Sequence, residues 1–305
     1  MRILRDPTRT APCVLVLGTF DGVHLGHQAL LMQGGELAAT LHCPLAVCTF
    51  EPHPLRVIRP GQVPPLLTTL PEKAALMAGF GVELLCVTSF TAARAEQSAE
   101  DYMEELLRVY QPLAVVCGFN FTFGREGRGT GEALRAYGRA HGFETVIVPE
   151  VTLDGEAVSS SRARRALQAG ELVLAARLMG HAYTLTGLVA DGKHIGRSMG
   201  FPTANVTIAR GKALPAYGVY ACWLEAKGAI YPAVVNVGRH PTLPEGNVTV
   251  EAYALDTRLS LYGERVRLTF LKFQRPERTF DSVDSLREQI SQDAEACRSW
   301  FAALR

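Results

Sequence analysis

The chain has 305 residues, a length typical of two domains, and its 48% hydrophobic and 20% charged residues are those of an ordinary globular protein. A formal net charge of +1 gives no general reason to expect binding to nucleic acid or to an anionic membrane. Residues 1–10 are too polar for a signal peptide, and no apolar run reaches the length of a transmembrane helix. We therefore expect a cytoplasmic protein without membrane insertion.

Seven cysteines are spread along the chain, and none forms a Cys-x-x-Cys pair. Their odd number and apolar, strand-like surroundings predict reduced, mostly buried thiols, and neither a zinc site nor a disulfide framework.

The first strong signal is residues 14–27, where a short apolar strand passes through a glycine-containing turn into a helix. Ligands of open α/β sheets bind beyond the carboxyl ends of the strands, and a helix N-terminus favours phosphate. His24 and His27 can donate hydrogen bonds to phosphate oxygens, and Gly26 lets a phosphate approach the backbone. A polar loop with two surface histidines is the simpler alternative, but the flanking strand and helix favour a nucleotide phosphate site.

The rest of the first half alternates strands with helices. The predicted strands are 44–50, 84–87, 113–117 and 145–148, and the predicted helices are 27–41, 71–80, 99–110 and 132–141. Ser98 precedes the third helix as a cap. This alternation predicts a Rossmann-like parallel sheet with helices on both faces.

Residues 118–131 interrupt the pattern with three phenylalanines, five glycines and two arginines directly after a strand. Aromatic rings that stack and arginines that meet phosphate suit a planar, phosphorylated ligand. The alternative is a mobile surface loop whose aromatic side chains cover an edge of the core.

Residues 158–165 place three serines before an arginine-rich helix. The serines suit a helix cap, which is the simplest interpretation. The cluster also has the composition of an RNA-binding patch, although the nearly neutral chain gives that hypothesis little support.

Beyond residue 181 the pattern changes to strands without intervening helices. The predicted strands are 183–190, 218–225, 231–237, 248–255 and 265–273, followed by a helix over 282–303 with Val283, Leu286, Ile290 and Trp300 as its apolar positions. These features predict a small antiparallel β-barrel closed by a C-terminal helix, with a domain boundary near residue 181.

Two stretches of this second half carry polar side chains on extended backbone. Pro202 keeps the chain extended before Thr203, so Thr203 and Asn205 point the same way and can share one hard cation. A glycine-rich loop that enters a strand is the alternative. Glu251 shares a strand face with Thr249 and Tyr253, and a solvated face is the default explanation for it.

Together these motifs resemble the bacterial bifunctional riboflavin kinase/FAD synthetase family, in the family's order and over nearly the whole chain. The resemblance is carried by the His-x-Gly-His element in 18–27, the flavin loop 118–131, the Ser-Ser-Thr-x-Ile-Arg-like segment 159–164, Gly-Phe-Pro-Thr-Ala-Asn at 200–205, and the elements 236–242 and 274–277. Ser161 stands where the family has Thr, Ala163 where it has Ile, Tyr253 where it has His and Gln274 where it has Leu.

For the first half, the resemblance implies an FMN adenylyltransferase domain over residues 1–181, including a linker helix. It implies nucleotide binding by Gly18, Phe20, Asp21, His24, Gly26, His27, Ser160, Ser161 and Arg164. It implies flavin binding by Asn120, Phe121, Phe123 and Arg125. His24, His27 and Arg164 would stabilise charge on the transferring and leaving phosphates. We expect Ala163 to loosen packing without abolishing binding.

For the second half, the resemblance implies a riboflavin kinase domain over residues 182–305. Thr203 and Asn205 would hold the Mg²⁺ of MgATP, and Lys193 and Arg197 would bind its phosphates. Glu251 would take the proton from the riboflavin 5′-hydroxyl, with Arg275 and Glu277 near the flavin. The family's His is replaced by Tyr253, which leaves the pH response near the base open.

The expected substrates are riboflavin, FMN and ATP, and the expected products are FMN and FAD, with no nucleic-acid or membrane partner. Two alternatives remain: only one of the domains turns over, or the chain is a flavin-binding carrier without turnover. The presence of ATP-binding motifs in both halves argues against a carrier. No Walker P-loop occurs, so phosphate chemistry must rest on the elements above.

Overall fold

A computed structural model describes residues 1–190, 201–239, 248–257 and 259–304. The contacts divide the chain into two compact units, Met1–Ser160 and Ser161–Arg305. Over the described ranges, none of the helices is both long and apolar enough to span a bilayer. The cysteines in these units are all free, and six of the seven are buried, as the sequence predicts.

The first unit is built on a six-stranded parallel sheet. The strands of this unit, in chain order, are β1 (Arg2–Arg5), β2 (Cys13–Leu17), β3 (Leu45–Glu51), β4 (Leu84–Ser89), β5 (Pro112–Gly118), β6 (Thr122–Phe123), β7 (Gly129–Thr130), β8 (Glu144–Val148), β9 (Thr152–Leu153) and β10 (Glu156–Ala157). The pairs β6–β7 and β9–β10 form two small separate sheets. The sheet order is β1-β4-β3-β2-β5-β8, with every neighbouring pair parallel. The order reverses between β2 and β5, which is where a ligand crevice opens in such sheets.

Helices cover both faces of this sheet. They are α1 (Leu25–Thr40), α2 (Leu55–Ile58), α3 (Leu70–Ala78), α4 (Ala92–Ala95), α5 (Ala99–Tyr110) and α6 (Gly131–His141). Leu106 of α5 and Leu134 of α6 belong to one core cluster, and Leu31 of α1 and Met77 of α3 belong to the other. The predicted doubly wound sheet is therefore confirmed.

The second unit is an antiparallel barrel. Its elements are α7 (Ser160–Gln168), which begins at the last residue of the first unit, α8 (Leu172–Met179), β11 (Thr184–Ala190), β12 (Ala204–Ile208), β13 (Gly218–Ala226), β14 (Ala229–Arg239), β15 (Val248–Ala254), β16 (Arg265–Pro276) and α9 (Val283–Ala302). The barrel closes in the order β11-β12-β15-β14-β13-β16, as predicted. Buried side chains such as Val235, Val250 and Leu268 alternate with less buried ones along the strands.

Three details differ from the sequence analysis. The polar N-terminal segment forms β1, which pairs with β4 at the edge of the sheet. The loop 118–131, for which no strand is predicted, contains a small antiparallel pair, β6 with β7. In α9, Val283 at the start of the helix is 67% exposed, whereas the buried face is formed by Ala294, Cys297 and Phe301 in its C-terminal half.

Candidate functional site

The two histidines of the first motif lie where β2 gives way to α1, at the carboxyl end of the sheet. His24 is the N-cap of α1, and its Nδ1 accepts a hydrogen bond from the His27 backbone N–H at 3.4 Å. Since Nδ1 is the acceptor, the proton of neutral His24 sits on Nε2. The two imidazole rings stack with centroids 3.7 Å apart. The structure thus brings together the pair that the sequence predicts to bind phosphate.

The turn before the histidines has an unusual backbone. Phe20 and Val23 have φ values of 53° and 41°, and Gly22 has a φ of 81°. A β-branched residue such as Val rarely adopts this region, and such strain is concentrated at functional sites. Thr68 holds the turn: its hydroxyl accepts from the Gly22 N–H at 2.9 Å, and its N–H donates to Asp21 Oδ1 at 3.0 Å. Asp21 therefore supports the turn from within.

Both histidines are neutral at physiological pH. Burial lowers the pKa of His24 to about 4, although the nearby Asp21 carboxylate opposes this shift. Burial also lowers the pKa of His27 well below its usual value, and the charges of His24 and Lys73 add to the effect. The Nδ1 atom of His27 is buried and has no hydrogen-bond partner within the described ranges. Each neutral ring can act as an N–H donor toward a ligand.

Lys73 of α3 is a member of this site that the sequence analysis missed. It is 8% exposed, and its Nζ donates to the Thr19 carbonyl at 2.6 Å and to Thr49 Oγ1 at 3.5 Å. Burial lowers its pKa to about 8, against the opposing charges of Asp21 and Glu51. A signal was present: Lys73 lies four residues before the fully buried Met77, which places it on the inward face of the helix.

The serine cluster contributes the hydroxyl of its second member to the same turn. Ser160 Oγ donates to the Asp21 carbonyl at 2.9 Å, and a Cβ at Gly26 would lie 4.0 Å from the Val158 carbonyl oxygen. Ser161 is exposed, whereas Arg164 is only 8% exposed and Ala163 is fully buried.

The predicted flavin loop follows β5, the strand next to β2. Phe123 is only 7% exposed, and its ring lies 4.9 Å from that of Tyr102 in the core. The ring of Phe121 stacks on it with centroids 5.6 Å apart. Asn120 and Arg125 are exposed, and the Arg125 N–H donates to the Gln97 carbonyl at 2.7 Å. Phe123 therefore anchors the loop, while Asn120 and Arg125 remain accessible to a ligand.

In the second unit, three polar side chains form a row across neighbouring strands of the barrel. Asn205 of β12 lies directly opposite Glu251 of β15, which in turn lies opposite Asn236 of β14. Directly paired residues share a face and have their Cβ atoms roughly 5 Å apart. The neighbours of Glu251, Val250 and Ala252, are buried in the barrel, so the row lies on the outer face.

Further predicted residues cluster around this row. Thr203 is half-buried and lies one residue before β12. The ring of Phe201 meets that of Tyr253 edge-on, with centroids 5.5 Å apart. Hydroxyl and amide oxygens are donors that a hard divalent cation accepts, so Thr203 and Asn205 fit Mg²⁺ chemically, with the Glu251 carboxylate opposite Asn205. Lys193, Arg197 and residues 240–242 lie outside the described residues.

Arg275 and Glu277, at the end of β16, are both held by protein contacts. Arg275 makes a two-pronged ion pair with Asp293 of α9, at 2.8 Å from Nε and 2.7 Å from Nη2. A Cβ at Gly238 would overlap the Glu277 carboxylate, and the Arg239 N–H donates to that carboxylate at 3.4 Å. The motif that begins at Asn236 therefore lies against the one that ends at Glu277.

Comparison with known proteins tests the family resemblance. The FAD synthetase family matches residues 6–162, and the riboflavin kinase family matches residues 179–301. Relatives called bifunctional riboflavin kinase/FMN adenylyltransferase occur in Listeria monocytogenes (36% identical over 95% of this chain and 93% of the relative) and in Escherichia coli K12 (37%, over 96% and 94%). A relative of the same name in Bacillus subtilis is 35% identical over 97% of this chain and 94% of its own.

The chain belongs to the bifunctional riboflavin kinase/FMN adenylyltransferase family. The resemblance inferred from the motifs is thereby confirmed, as are the transferase class and the pairing of two domains. A solved structure from Streptococcus pneumoniae described as a macrolide-efflux protein is 30% identical, with a TM-score of 0.88 over 98% of this chain and 99% of that one.

Proposed function

We infer that the chain makes FAD from riboflavin in two ATP-dependent transfers. The γ-phosphoryl group of ATP passes to the 5′-hydroxyl of riboflavin, which gives FMN. The adenylyl group of a second ATP then passes to the FMN phosphate, which gives FAD and releases pyrophosphate. Matches to both domain families and to full-length relatives named for both activities support this conclusion. The reaction takes place in the cytoplasm and uses Mg²⁺.

The stacked histidines carry the proposal for adenylyl transfer. They combine a helix N-terminus, two neutral rings and a buried Nδ1 without a partner in the described part of the chain. The FMN phosphate is already an anionic nucleophile, so the site needs no strong base. His24, His27 and Arg164 stabilise the charge on the transferring and leaving phosphates. Gly18, Phe20, Asp21, Gly26, Ser160 and Ser161 shape the nucleotide site around them.

The FMN of this step binds at the loop that follows β5. Asn120 and Arg125 are exposed there, and the Phe121–Phe123 stack offers an aromatic surface beside them. An arginine near the flavin phosphate and a ring near the isoalloxazine match the two chemical parts of FMN.

The kinase step belongs to the barrel. Glu251 accepts the proton of the riboflavin hydroxyl, and Thr203 and Asn205 hold Mg²⁺, which neutralises phosphate charge when bound. Asn205 lies directly opposite Glu251, so the base and a metal-binding oxygen are neighbours. Lys193 and Arg197 bind ATP phosphates, and Arg275 and Glu277 lie near the flavin.

The functional boundary between the two activities falls near residue 181. The adenylyltransferase comprises residues 1–181, with α7 and α8 as its terminal part, and the kinase comprises residues 182–305. The two matched family ranges leave residues 163–178 between them, which agrees with a connecting helical segment.

One incubation separates this function from its alternatives. Purified protein is mixed with riboflavin, ATP and Mg²⁺, and the flavins are separated by chromatography. FAD is the expected product. FMN alone would mean that only the kinase turns over, and unchanged riboflavin would favour a carrier without turnover.

A further inference from the structure

Lys73 is a buried cation beside the turn that carries the histidine pair. Its Nζ lies 2.6 Å from the Thr19 carbonyl oxygen and 3.5 Å from Thr49 Oγ1. Thr19 lies in the turn between β2 and α1, and Thr49 lies in β3. One ammonium group therefore links α3 to the turn and to the neighbouring strand.

Stability alone does not explain a lysine at this position. Moving an ammonium group out of water costs several kcal/mol, and replacing a whole set of buried charges by apolar side chains is often neutral or stabilising. Ala74 and Met77 of the same helix are buried in the apolar core, so an uncharged side chain of similar length suits this face of α3. The charge of Lys73 is therefore better explained by its effect on the turn and on the histidine pair beside it.

The charge of Lys73 acts on His27. It lowers the pKa of His27, together with burial and the charge of His24. The other charged groups that face Lys73 are Asp21, from the turn, and Glu51, at the end of β3, and both favour its protonated form. At neutral pH the protonated lysine and the neutral histidine therefore coexist side by side.

We propose that Lys73 is a positioning residue for adenylyl transfer: its ammonium fixes the Thr19 carbonyl, and so the turn before the His24–His27 pair, and supplies a positive charge beside the phosphate site at neutral pH. The proposal rests on the proposed role of the histidines. It adds α3 to the elements that position the histidine pair. Loss of the ammonium should misplace the histidines and weaken the field that favours an anionic ligand.

Two variants separate the charge from the shape of Lys73. Lys73→Met keeps the length and removes the charge, whereas Lys73→Arg keeps a charge that does not titrate below pH 12. Lys212→Met is the matched control, because Lys212 is 7% exposed and lies in the second unit. FMN adenylylation and riboflavin phosphorylation are measured on each preparation, and the His27 ring is titrated by NMR.

We expect Lys73→Met to lower kcat for FMN adenylylation about a hundredfold, with a smaller change in the KM for FMN, and to leave riboflavin phosphorylation intact. The pKa of His27 should rise in Lys73→Met and stay low in Lys73→Arg. Lys212→Met should leave adenylylation unchanged. Normal adenylylation by Lys73→Met would overturn the proposal, and so would a loss of activity without a shift in the His27 titration.

The pH profile gives a second readout that does not depend on folding of the Met variant. Burial lowers the pKa of Lys73 to about 8, so adenylylation by the unsubstituted chain should decline above that pH. Lys73→Arg should extend activity to higher pH, and an unchanged alkaline limb would contradict the proposal. Turnover of His27→Ala, measured in parallel, tests the role of the histidine itself. The coupling between His27 and Lys73 is tested separately, by the NMR titration of His27 in the Lys73 variants.

Discussion

His24 caps α1 with the same imidazole that faces the proposed nucleotide site. As a cap it must accept a hydrogen bond at Nδ1, and as a phosphate ligand it must donate from Nε2. Only the neutral ring does both, because the doubly protonated imidazolium has no acceptor nitrogen. Burial secures this form, since it penalises the charged ring more than the neighbouring Asp21 stabilises it.

The buried histidine makes the first unit sensitive to acid. The pKa of His24 is about 4 in the folded chain and near 6.5 when it is unfolded. Between these values the unfolded chain binds a proton that the folded one does not, so stability rises with pH across this window and is lost as the pH falls. The expected loss from pH 7 to pH 4 is on the order of 3 kcal/mol.

This loss is measured as the free energy of unfolding against pH, in the unsubstituted chain and in His24→Gln. The glutamine keeps a side-chain acceptor for the cap and cannot titrate, so the slope between pH 6.5 and pH 4 should flatten. His27 titrates in the same direction and leaves a residual slope. Identical pH dependence of the two chains would contradict the account.

Glu251 is the residue on which the proposed kinase step depends most. Glu251→Gln keeps the shape of the side chain and removes the proton acceptor, so kinase turnover should fall about a hundredfold to ten-thousandfold. ATP affinity should change little, because the proposed ATP ligands are Thr203, Asn205 and the basic residues before them. Turnover and ATP affinity are measured on one preparation. Near-normal turnover would remove Glu251 from the mechanism, and a large loss of affinity would reassign it to binding.

At the scale of elements, α1 approaches the sheet closely because of one glycine. A Cβ at Gly34 would lie 2.6 Å from Val16 Cγ2 and 2.9 Å from Leu45 Cδ1, whereas a Cβ at the adjacent Gly35 would meet nothing within 4 Å. The same helix carries His24 and His27 at its beginning, so its distance from β2 sets the depth of the site.

The two glycines form a matched pair of variants. Gly34→Ala should destabilise the first unit by roughly 1–3 kcal/mol, because it overpacks the contact between α1 and β2. Gly35→Ala should stabilise it by about 0.5–1 kcal/mol, since alanine favours the helix. Thermal unfolding is followed by circular dichroism. Tryptophan fluorescence reports the second unit alone, because Trp223 and Trp300 both lie there. Equal stability of the two variants would contradict the close packing.

The elements that the sequence predicts well are those with strong periodicity. The buried strands of the sheet and the amphipathic α5 and α6 are recognised because their apolar residues follow one period. The edge strand β1 escapes prediction because Arg2 and Arg5 occupy half of it and an edge needs little apolar surface. In α9 the predicted positions Leu286, Ile290 and Trp300 are partly buried, but the buried face also includes Asp293, which pairs with Arg275 and which an apolar pattern does not reveal.

The candidate sites likewise are predictable only where their signal is local in the sequence. Motifs local in sequence, such as the histidine pair and the Thr203–Asn205 stretch, could be identified directly. Lys73 could not, because its role comes from α3 packing beside a turn more than fifty residues earlier in the chain. The pairing of Glu251 with Asn205 and Asn236 likewise required the register of three strands.

For the whole molecule, the central claim is that two independent sites work in succession. The histidine pair belongs to the parallel-sheet unit, and Glu251 belongs to the barrel. Damage to one site should therefore spare the other reaction, and the intermediate FMN should reveal which step has failed.

The most direct measurement is a crossed assay of His27→Ala and Glu251→Gln, each supplied separately with riboflavin and with FMN, in the presence of ATP and Mg²⁺. His27→Ala should convert riboflavin to FMN and stop there, and it should make little FAD from supplied FMN. Glu251→Gln should leave riboflavin largely unchanged and convert supplied FMN to FAD at the normal rate. If either folded variant loses both reactions to the same extent, the two sites are not independent and the account is wrong.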